Sequence, residues 1–408
     1  MEKVKLNRHF ISDIFFYQEG PGVRKWQFKD SGVKLINVGN INNGKIDLSS
    51  TKINISEEEA YGKYSHFLID EGDLLIACSG IVVENFHNKI AFIKKEHLPL
   101  CLNTSTMRFK ELPEKKGDLN FLKYFLQTND FKSQLRKLIT GSAQLNFGPS
   151  HIRKIEIPLP PLATQQRIAA ILDQSDAIVQ NNRAIVQKYD ALTQSLFLEM
   201  FGDPVKNEKG WEKNNCRNIL KVIGGGVFKS SDYVKNGIPL IRIGSVNKGY
   251  FDDRETVFIP ETYIKTHKKY LVYPNDLLIT LTGTVGKNDY GNVFKLGNDY
   301  EKYYLNQRVA KFEINETKID SVFFEFYLKQ NEIKKLLTSV SRGVRQANIS
   351  NEDIYNLEII LPSINLQNLF AERVAVIEAQ KQKAQLELAK SEELFASLLQ
   401  RAFKGELN

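Results

Sequence analysis

The sequence predicts two similar α/β (α+β) globular domains, tandemly duplicated and joined by two long antiparallel helices that form a coiled-coil spacer. Three observations predict this architecture. The chain repeats itself at a period of about 202–205 residues. Each repeat begins with mixed strand and helix patterns, and each then changes to a long helical heptad pattern. A chain of 408 residues is long enough for two or three domains.

The internal repeat appears as five short segments that recur in the same order. They carry similar β-branched, glycine and amide residues, so duplication explains them better than chance does. The matched pairs are Gly32–Ile41 with Gly237–Val246, Glu71–Ile76 with Pro274–Ile279, Leu102-Asn103 with Leu305-Asn306, Gly141–Asn146 with Gly343–Asn348, and Ile155–Pro160 with Leu357–Pro362.

The first part of each repeat shows strand and helix signals. Leu35–Val38 and Leu240–Ile243 are short β-branched runs bounded by glycine, asparagine or proline, which predicts strands. Phe121–Leu138 and Phe323–Leu337 carry apolar residues at three- and four-residue steps, which predicts helices.

The second part of each repeat predicts one long helix, over Thr164–Phe201 and from about Asn365 to Phe403. Glycines at 202 and 405 end the two patterns. About 38 residues make a helix of about 57 Å, which is longer than a small domain is wide. Pairing of the two helices is therefore favoured over packing of each on its own domain. The predicted heptad seams are Ile168, Ile171, Ser175, Ile178, Asn182, Ile185, Tyr189, Leu192 and Leu196 in the first helix, and Phe370, Val374, Ile377, Lys381, Ala384, Leu388, Ser391, Phe395, Leu398 and Ala402 in the second.

These patterns predict four segments: a first domain at 1–157, a first spacer helix at 158–201, a second domain at 202–361 and a second spacer helix at 362–408. The formal charge of +8 is concentrated in the two domains, which carry nets of +5 and +4, against −1 and 0 in the helical segments. A phosphate backbone is a suitable partner for such an excess, although charge that only keeps the protein soluble would look the same.

Other classes of protein are disfavoured. The apolar runs are too short to span a membrane, and Lys3, Lys5 and Arg8 precede no apolar stretch of a signal peptide. Three well-separated cysteines predict reduced thiols and a cytoplasmic protein, without disulfides or a zinc site.

No catalytic site or cofactor site is predicted. Gly283–Asn288 has the wrong glycine spacing for a phosphate-binding loop, and the six histidines stand apart from metal-binding motifs. Asp73 and Asp276 could each open a nuclease motif, but no acidic-x-lysine partner follows at a useful distance.

Polar residues in the repeated loops instead suit the reading of base edges. Arginine pairs with guanine, and asparagine and glutamine pair with adenine. Any one of these side chains could simply be solvated or cap a turn, but their repeated positions favour a ligand-facing edge. The candidate DNA-contact residues are Ser79, Asn103, Ser142, Gln144 and Asn146 in the first repeat, and Arg242, Thr282, Thr284, Lys287, Asn306, Arg342, Arg345, Gln346 and Asn348 in the second.

Taken together, the repeat and its motifs resemble the specificity subunit of a type I restriction–modification system. The similarity lies in Ile155–Leu162 leading into Gln165–Asp173, in the strand–glycine patterns at 36–41 and 241–246, and in the Gly-x-x-Gln-x-Asn segments. Leu361–Ile364 departs from the family's double proline. The resemblance implies two target-recognition domains, each reading one half of a bipartite site in double-stranded DNA.

The resemblance also implies partners that carry the chemistry. Methyltransferase (modification) subunits, which use S-adenosylmethionine, would bind the helices, and an ATP-dependent restriction subunit would join them. Leu172, Val179 and Val186 lie off the predicted seam and are the expected partner-binding residues. The alternatives are a basic structural or protein-binding adaptor without sequence readout, and a nuclease with an unrecognised site.

Overall fold

The computed structural model describes residues 6–49, 52–139, 146–246, 249–284, 287, 289–339 and 346–407. The chain forms two compact units. Unit 1 comprises Met1–Arg183 and Leu386–Asn408, and unit 2 comprises Ala184–Gln385. Both units have mixed α/β character, as the sequence predicts, and each unit includes part of both long helices.

Unit 1 is built on a four-stranded antiparallel sheet of order β2-β10-β7-β8 and a three-stranded sheet of order β6-β3-β9, in which β3 and β9 are parallel. Its strands are β1 (Arg8–Phe10), β2 (Phe15–Glu19), β3 (Val33–Ile36), β4 (Ile41–Asn42), β5 (Lys45–Ile46), β6 (Asn54–Ile55), β7 (Leu74–Ala77), β8 (Ile90–Phe92), β9 (Leu100–Leu102), β10 (Thr106–Glu111) and β11 (Glu156–Pro158). Its helices are α1 (Glu57–Tyr61), α2 (Leu119–Phe125), α3 (Asn129–Leu138), α4 (Pro149–Ile152) and the first part of α5 (Leu162–Phe201).

Unit 2 repeats the plan, with a four-stranded antiparallel sheet β13-β21-β17-β19 and a second sheet β15-β14-β20-β16, in which β14 and β20 are parallel. Its strands are β12 (Lys213–Asn215), β13 (Leu220–Gly224), β14 (Ile238–Ile241), β15 (Phe258–Ile259), β16 (Leu271–Val272), β17 (Leu277–Thr280), β18 (Thr282–Thr284), β19 (Val293–Lys295), β20 (Tyr303–Leu305), β21 (Val309–Ile314), β22 (Gln346–Asn348) and β23 (Glu358–Ile360). Its helices are the last part of α5 (residues 184–201), α6 (Ile243–Val246), α7 (Ile264–His267), α8 (Ser321–Leu328), α9 (Asn331–Ser339), α10 (Asn351–Tyr355) and the first part of α11 (Ile364–Phe403), up to Gln385.

The matched strands β3 and β14 begin and end two residues earlier than the sequence predicts. Side chains just after each strand turn the backbone into a short helical turn. The carboxamide oxygen of Asn37 accepts a hydrogen bond from Gly39 N at 2.9 Å, and the hydroxyl of Ser245 accepts one from Arg242 N at 3.1 Å. Such local side-chain bonds compete with the strand ladder, so Val38 and Ile243 lie in the helical turns.

The two predicted medium-length helices are each divided in two. Thr128 separates α2 from α3 because its hydroxyl accepts a hydrogen bond from Phe131 N at 3.1 Å, which begins a new helix. In unit 2 the corresponding break separates α8 from α9. The apolar periodicity continues across both breaks, and for this reason it predicts one helix in each case.

One glutamine near the start of each long helix anchors that helix to its own unit. Gln165 is fully buried, donates to Pro160 O at 2.8 Å and accepts from Asp118 N at 3.0 Å. Gln367 repeats the arrangement, donating to Pro362 O at 2.8 Å and accepting from Asp320 N at 2.9 Å. These bonds satisfy buried backbone groups, which explains why a polar residue occupies a buried helix position.

The long helices run antiparallel, as predicted. Within unit 1, Asn182 of α5 contacts Ser391 of α11. Within unit 2, Asp190 pairs with Lys381 at 2.6 Å, and the rings of Phe197 and Phe370 lie 5.7 Å apart. Moving along α5 towards higher residue numbers, the contacts on α11 therefore fall at lower residue numbers.

The seam predicted for α11 is the one observed, but the seam predicted for α5 is wrong at three of its nine positions. Leu172 and Val179, which were expected to be exposed for partner binding, are buried at 0% and 5% exposure, and Val186 is half-buried. Three residues predicted for the seam are instead the exposed ones: Ile178 (50%), Ile185 (42%) and Leu192 (49%). Aliphatic residues at adjacent positions make both heptad phases plausible in the sequence. The globular core selects between them, since Leu172 joins the apolar core of unit 1 with Ile168.

None of the helices in the described ranges contains an apolar stretch of the length that spanning a lipid bilayer requires.

Candidate nucleic-acid interface

In unit 2, two parallel strands end at the same edge and place polar residues there. β14 and β20 pair in parallel up to Ile241 and Leu305, and Arg242 and Asn306 follow them directly. Asn306 N donates to Ile241 O at 3.1 Å, which holds the two strand ends together. Arg242 and Asn306, two of the predicted contact residues, are thus distant in the sequence but lie at the same edge of the sheet.

Two further backbone hydrogen bonds extend this edge. Leu281 N donates to Arg308 O at 2.9 Å, and Ile349 N donates to Leu281 O at 2.8 Å. The second bond continues the antiparallel pairing of β18 with β22, in which Thr282 faces Asn348 and Thr284 faces Gln346. We call residues 242, 282–284, 306–308 and 346–348 the unit 2 edge.

Unit 1 brings the matched segments together in the same way. Phe147 N donates to Cys78 O at 2.9 Å, and Cys78 N donates to Ser105 O at 2.9 Å. The carboxamide of Asn146 adds a bond, because its oxygen accepts from Gly80 N at 2.8 Å. Ser79, Asn103 and Asn146 therefore lie along an equivalent edge, which we call the unit 1 edge: residues 37, 79–80, 103–105 and 146.

A glycine makes the close approach at each edge possible. A Cβ atom on Gly225 would lie 2.2 Å from Asn306 O, and a Cβ atom on Gly20 would lie 2.3 Å from Asn103 N. Gly225 N and Gly20 N also donate to Val309 O and Thr106 O, both at 3.1 Å. The same backbone frame is therefore built twice, although the side chains that it displays differ.

The unit 2 edge borders a polar cleft with a positive balance. The cleft has a volume of about 860 Å³, and its walls carry three arginines and one aspartate. Arg254 is bound by Asp252 in a two-pronged ion pair, and the guanidinium of Arg242 lies 5.9 Å from the centre of the Tyr233 ring. The lining residues are Tyr233, Arg242, Ile243, Gly244, Ser245, Asp252, Arg254, Asn306, Gln307 and Arg308.

Sequence reasoning did not select Gln307, Arg308, Arg254 or Tyr233. The signal for the first two was available, since they directly follow the matched Leu305-Asn306 pair and have base-reading side chains. Both were missed because the matching positions in unit 1 are Thr104 and Ser105, so only Asn306 stood out as repeated.

The loop after β18 is fixed by an acidic side chain. Thr284 N donates to Asp289 Oδ1 at 2.8 Å, and this backbone bond is the main reason that the pKa of Asp289 is lowered. Lys287 N in turn donates to Thr284 O at 3.0 Å, and the Lys287 side chain is exposed. Thr282 is nearly buried, whereas Thr284 is exposed.

Several predicted contact residues cannot be placed. Ser142, Gln144, Arg342 and Arg345 lie outside the described residues, and only the backbone of Gln346 is described. Asn146 and Asn348, which end the two Gly-x-x-Gln-x-Asn segments, are exposed at the edges of their units.

The groups considered for catalysis have structural roles. Asp73 is buried and contacts Arg108 at 3.3 Å, and Asp276 contacts Lys311 at 2.9 Å across the corresponding sheet. Burial raises the pKa of each cysteine thiol, Cys78, Cys101 and Cys216, to about 12, which disfavours the nucleophilic thiolate. Within the described ranges, no group of three or more histidine, cysteine or acidic residues is placed to hold a metal ion.

Comparison with known proteins gives consistent matches over nearly the whole chain. The model of the family described as "Type I restriction modification DNA specificity domain" matches twice, at residues 4–188 and 208–388. The type I restriction enzyme MjaVIII specificity subunit of Methanocaldococcus jannaschii is 26% identical over 79% of this chain and 77% of its own length. The EcoKI specificity subunit of Escherichia coli K12 is 25% identical over 93% of this chain and 83% of its own length.

Solved structures show the same fold. The S subunit of a type I restriction–modification system from M. genitalium covers 98% of this chain and 96% of its own, with a TM-score of 0.55 and 16% identity. A second solved chain comes from a study of the complex assembly and conformational transition of a type I R-M system. It aligns with 99% of this chain over its own full length, with a TM-score of 0.51.

Proposed function

The family model matches twice and covers most of the chain, so this protein belongs to the type I restriction–modification DNA specificity family. We propose that it recognises a bipartite DNA site. Each unit reads one half-site. The chain is the specificity subunit and carries no catalytic site of its own. It directs methyltransferase subunits and an ATP-dependent restriction subunit to the DNA.

The repeated edge is the observation that carries the proposal. Matched hydrogen bonds join the matched segments in both units, namely Cys78 with Ser105 and Phe147, and Leu281 with Arg308 and Ile349. A backbone frame that is kept while its side chains change suits a protein that reads a different sequence with each copy. A purely structural duplication gives no reason for polar, exposed side chains to gather at that edge.

The chemistry of the edges supports double-stranded DNA as the ligand. Arginine, asparagine, glutamine, serine and threonine are the side chains that pair with base edges in the major groove. Three arginines and one aspartate in the cleft of unit 2 add attraction to phosphate. The positions outside the described residues, Ser142, Gln144, Arg342 and Arg345, remain predicted contacts.

The long helices supply the binding surface for partner subunits in this proposal. α5 leaves Ile178, Ile185 and Leu192 about half exposed at seven-residue steps. A row of exposed aliphatic residues along one helix face is suited to a protein interface. They replace Leu172 and Val179, whose burial removes them from consideration.

Selection of bound sites from random duplex DNA by the purified chain tests the proposal. We expect enrichment of two short conserved sequences at a constant separation. Binding that depends on salt but enriches no sequence would instead support the adaptor alternative, since phosphate contacts alone carry no sequence information. Cleavage by the chain alone in the presence of metal would support a nuclease.

A further inference from the structure

The turn between β20 and β21 displays three consecutive base-reading side chains: Asn306, Gln307 and Arg308. Building on the proposed function, we infer that this turn determines the sequence specificity of unit 2. Arg308 reads a guanine, and Gln307 reads an adenine, in the major groove of the half-site that unit 2 binds.

The backbone of the turn is held rigidly. Asn306 N donates to Ile241 O at 3.1 Å, Gln307 N donates to Gly226 O at 2.9 Å, and Arg308 O accepts from Leu281 N at 2.9 Å. Three separate segments, at Gly226, Ile241 and Leu281, therefore hold these three consecutive residues. A recognition group held in one backbone conformation loses less entropy when it binds, which favours precise readout over loose electrostatic contact.

The side chains of the turn are available to a ligand. Gln307 and Arg308 are exposed and Asn306 is partly exposed. None of the three side chains makes a hydrogen bond or an ion pair with any part of the chain that the structure describes. Arg254 in the same cleft differs, because both carboxylate oxygens of Asp252 accept hydrogen bonds from its guanidinium. Arg308 thus lines the cleft with an exposed side chain whose guanidinium makes no ion pair within the described part of the chain.

The matched turn of unit 1 shows that this availability is not a consequence of the fold. There, the side-chain oxygen of Asn103 accepts from Thr104 Oγ1 at 3.1 Å and from Ser105 N at 3.2 Å. The hydroxyl of Ser105 accepts from Val38 N at 3.1 Å. Asn103 and Ser105 of the unit 1 turn therefore use these oxygens within the chain, whereas the side chains of the matched residues Asn306 and Arg308 make no hydrogen bond within the described ranges.

The chemistry of the Arg308 and Gln307 side chains determines which base each of them recognises. Arginine forms two parallel hydrogen bonds to guanine O6 and N7, and glutamine forms two to adenine N6 and N7. An arginine that contacts phosphate instead would attract every sequence alike. Base reading by Arg308 therefore differs from general electrostatic attraction in that it makes affinity depend on the DNA sequence.

The test uses the full chain and the duplex that it selects from random DNA. Binding is measured to that duplex and to variants with each base pair changed, for the wild-type protein, Arg308→Ala and Gln307→Ala. We expect Arg308→Ala to lose roughly 5- to 150-fold discrimination at one G·C pair of one half-site, and Gln307→Ala to lose a similar factor at one A·T pair. The other half-site should keep its preferences.

Arg217→Ala is the matched control. Arg217 is a surface arginine of unit 2 at the other end of β13 from Gly225, where it pairs with Glu352. This variant should keep every base preference. If Arg308→Ala instead weakens binding to all duplexes equally, Arg308 contacts phosphate and the inference is overturned. If the wild-type chain itself selects no sequence, the proposed function fails instead, so the two failures can be told apart.

Discussion

The side-chain amide of Asn182 on α5 donates a hydrogen bond to the hydroxyl oxygen of Ser391 on α11 at 3.2 Å. Both residues occupy seam positions that would otherwise be apolar, and Arg183 forms an ion pair with Glu392 at 2.6 Å beside them. A polar pair inside a helix seam favours the one register in which both groups are satisfied. The sequence predicts Asn182 as a seam residue, and the structure identifies its partner.

A double-mutant cycle measures this pairing. Asn182→Ala should lower the free energy of unfolding by about 1 kcal/mol, and Asn182→Ala with Ser391→Ala should cost less than the sum of the two single changes. Urea unfolding of the four proteins gives the coupling. Additive single changes would show that the two residues do not interact.

Gly225 should be essential for the unit 2 edge. Gly225→Ala places a Cβ atom 2.2 Å from Asn306 O, where only backbone can yield, so we expect a loss of about 1–3 kcal/mol in unfolding free energy. The adjacent Gly224 is a matched control, because a Cβ atom there meets nothing within 4 Å. Thermal unfolding and site selection should show a change with Gly225→Ala and little change with Gly224→Ala. Equal behaviour of the two variants would contradict this account of the edge.

The three cysteines should be unreactive in the folded protein. Burial raises the pKa of each thiol from 9.0 to about 12, so roughly one thiol in ten thousand is ionised at pH 8. Titration with a thiol reagent should label none rapidly before denaturation and three afterwards. Fast labelling of the native protein would place at least one cysteine in a different environment.

These thiols also affect stability at high pH. The folded protein holds the thiol proton more tightly than the unfolded chain does, so this contribution to stability is present below pH 9 and is lost as the pH rises towards 12. Cys216→Val should therefore show a smaller decrease in unfolding free energy over this range than the wild type. An equal decrease would mean that Cys216 ionises alike in both states.

The length of the helices should affect the separation of the half-sites. α5 and α11 each span 40 residues and each belongs partly to both units. One added heptad in each helix, at matched positions, keeps the seam in phase and adds about 10.5 Å, or roughly three base pairs. Site selection should return the same half-sites with a longer spacer. An unchanged spacer would show that the helices do not set this distance.

The parts of the fold that are repeated were the parts that the sequence predicted best. Matched segments predicted the two units, and proline- and glycine-free heptads predicted two antiparallel helices. The phase of α5 was not predictable, because Ile178 and Val179 are both suited to a seam, and only the folded structure buries Val179 and leaves Ile178 half exposed. The ends of β3 and β14 depended on side-chain bonds from Asn37 and Ser245, which hydrophobic patterns do not contain.

In the turns that follow β9 and β20, contact residues were predicted only where the two repeats agree. Asn103 and Asn306 stood out because they match, yet the structure gives Asn103 a role within its own turn and leaves Asn306 available. Gln307 and Arg308 have no counterpart of similar chemistry in unit 1, so comparison of the repeats concealed them.

A base-by-base substitution scan of the selected duplex tests whether each unit reads its own half-site. Affinity of the wild-type chain is measured for every single base-pair change along the site. We expect affinity to fall for changes in two separate blocks of base pairs, each changed pair costing about 1–3 kcal/mol of binding free energy. Changes in the block between them should leave the affinity unchanged. A single uninterrupted block, or equal affinity for every duplex, would contradict the claim that each unit reads its own half-site.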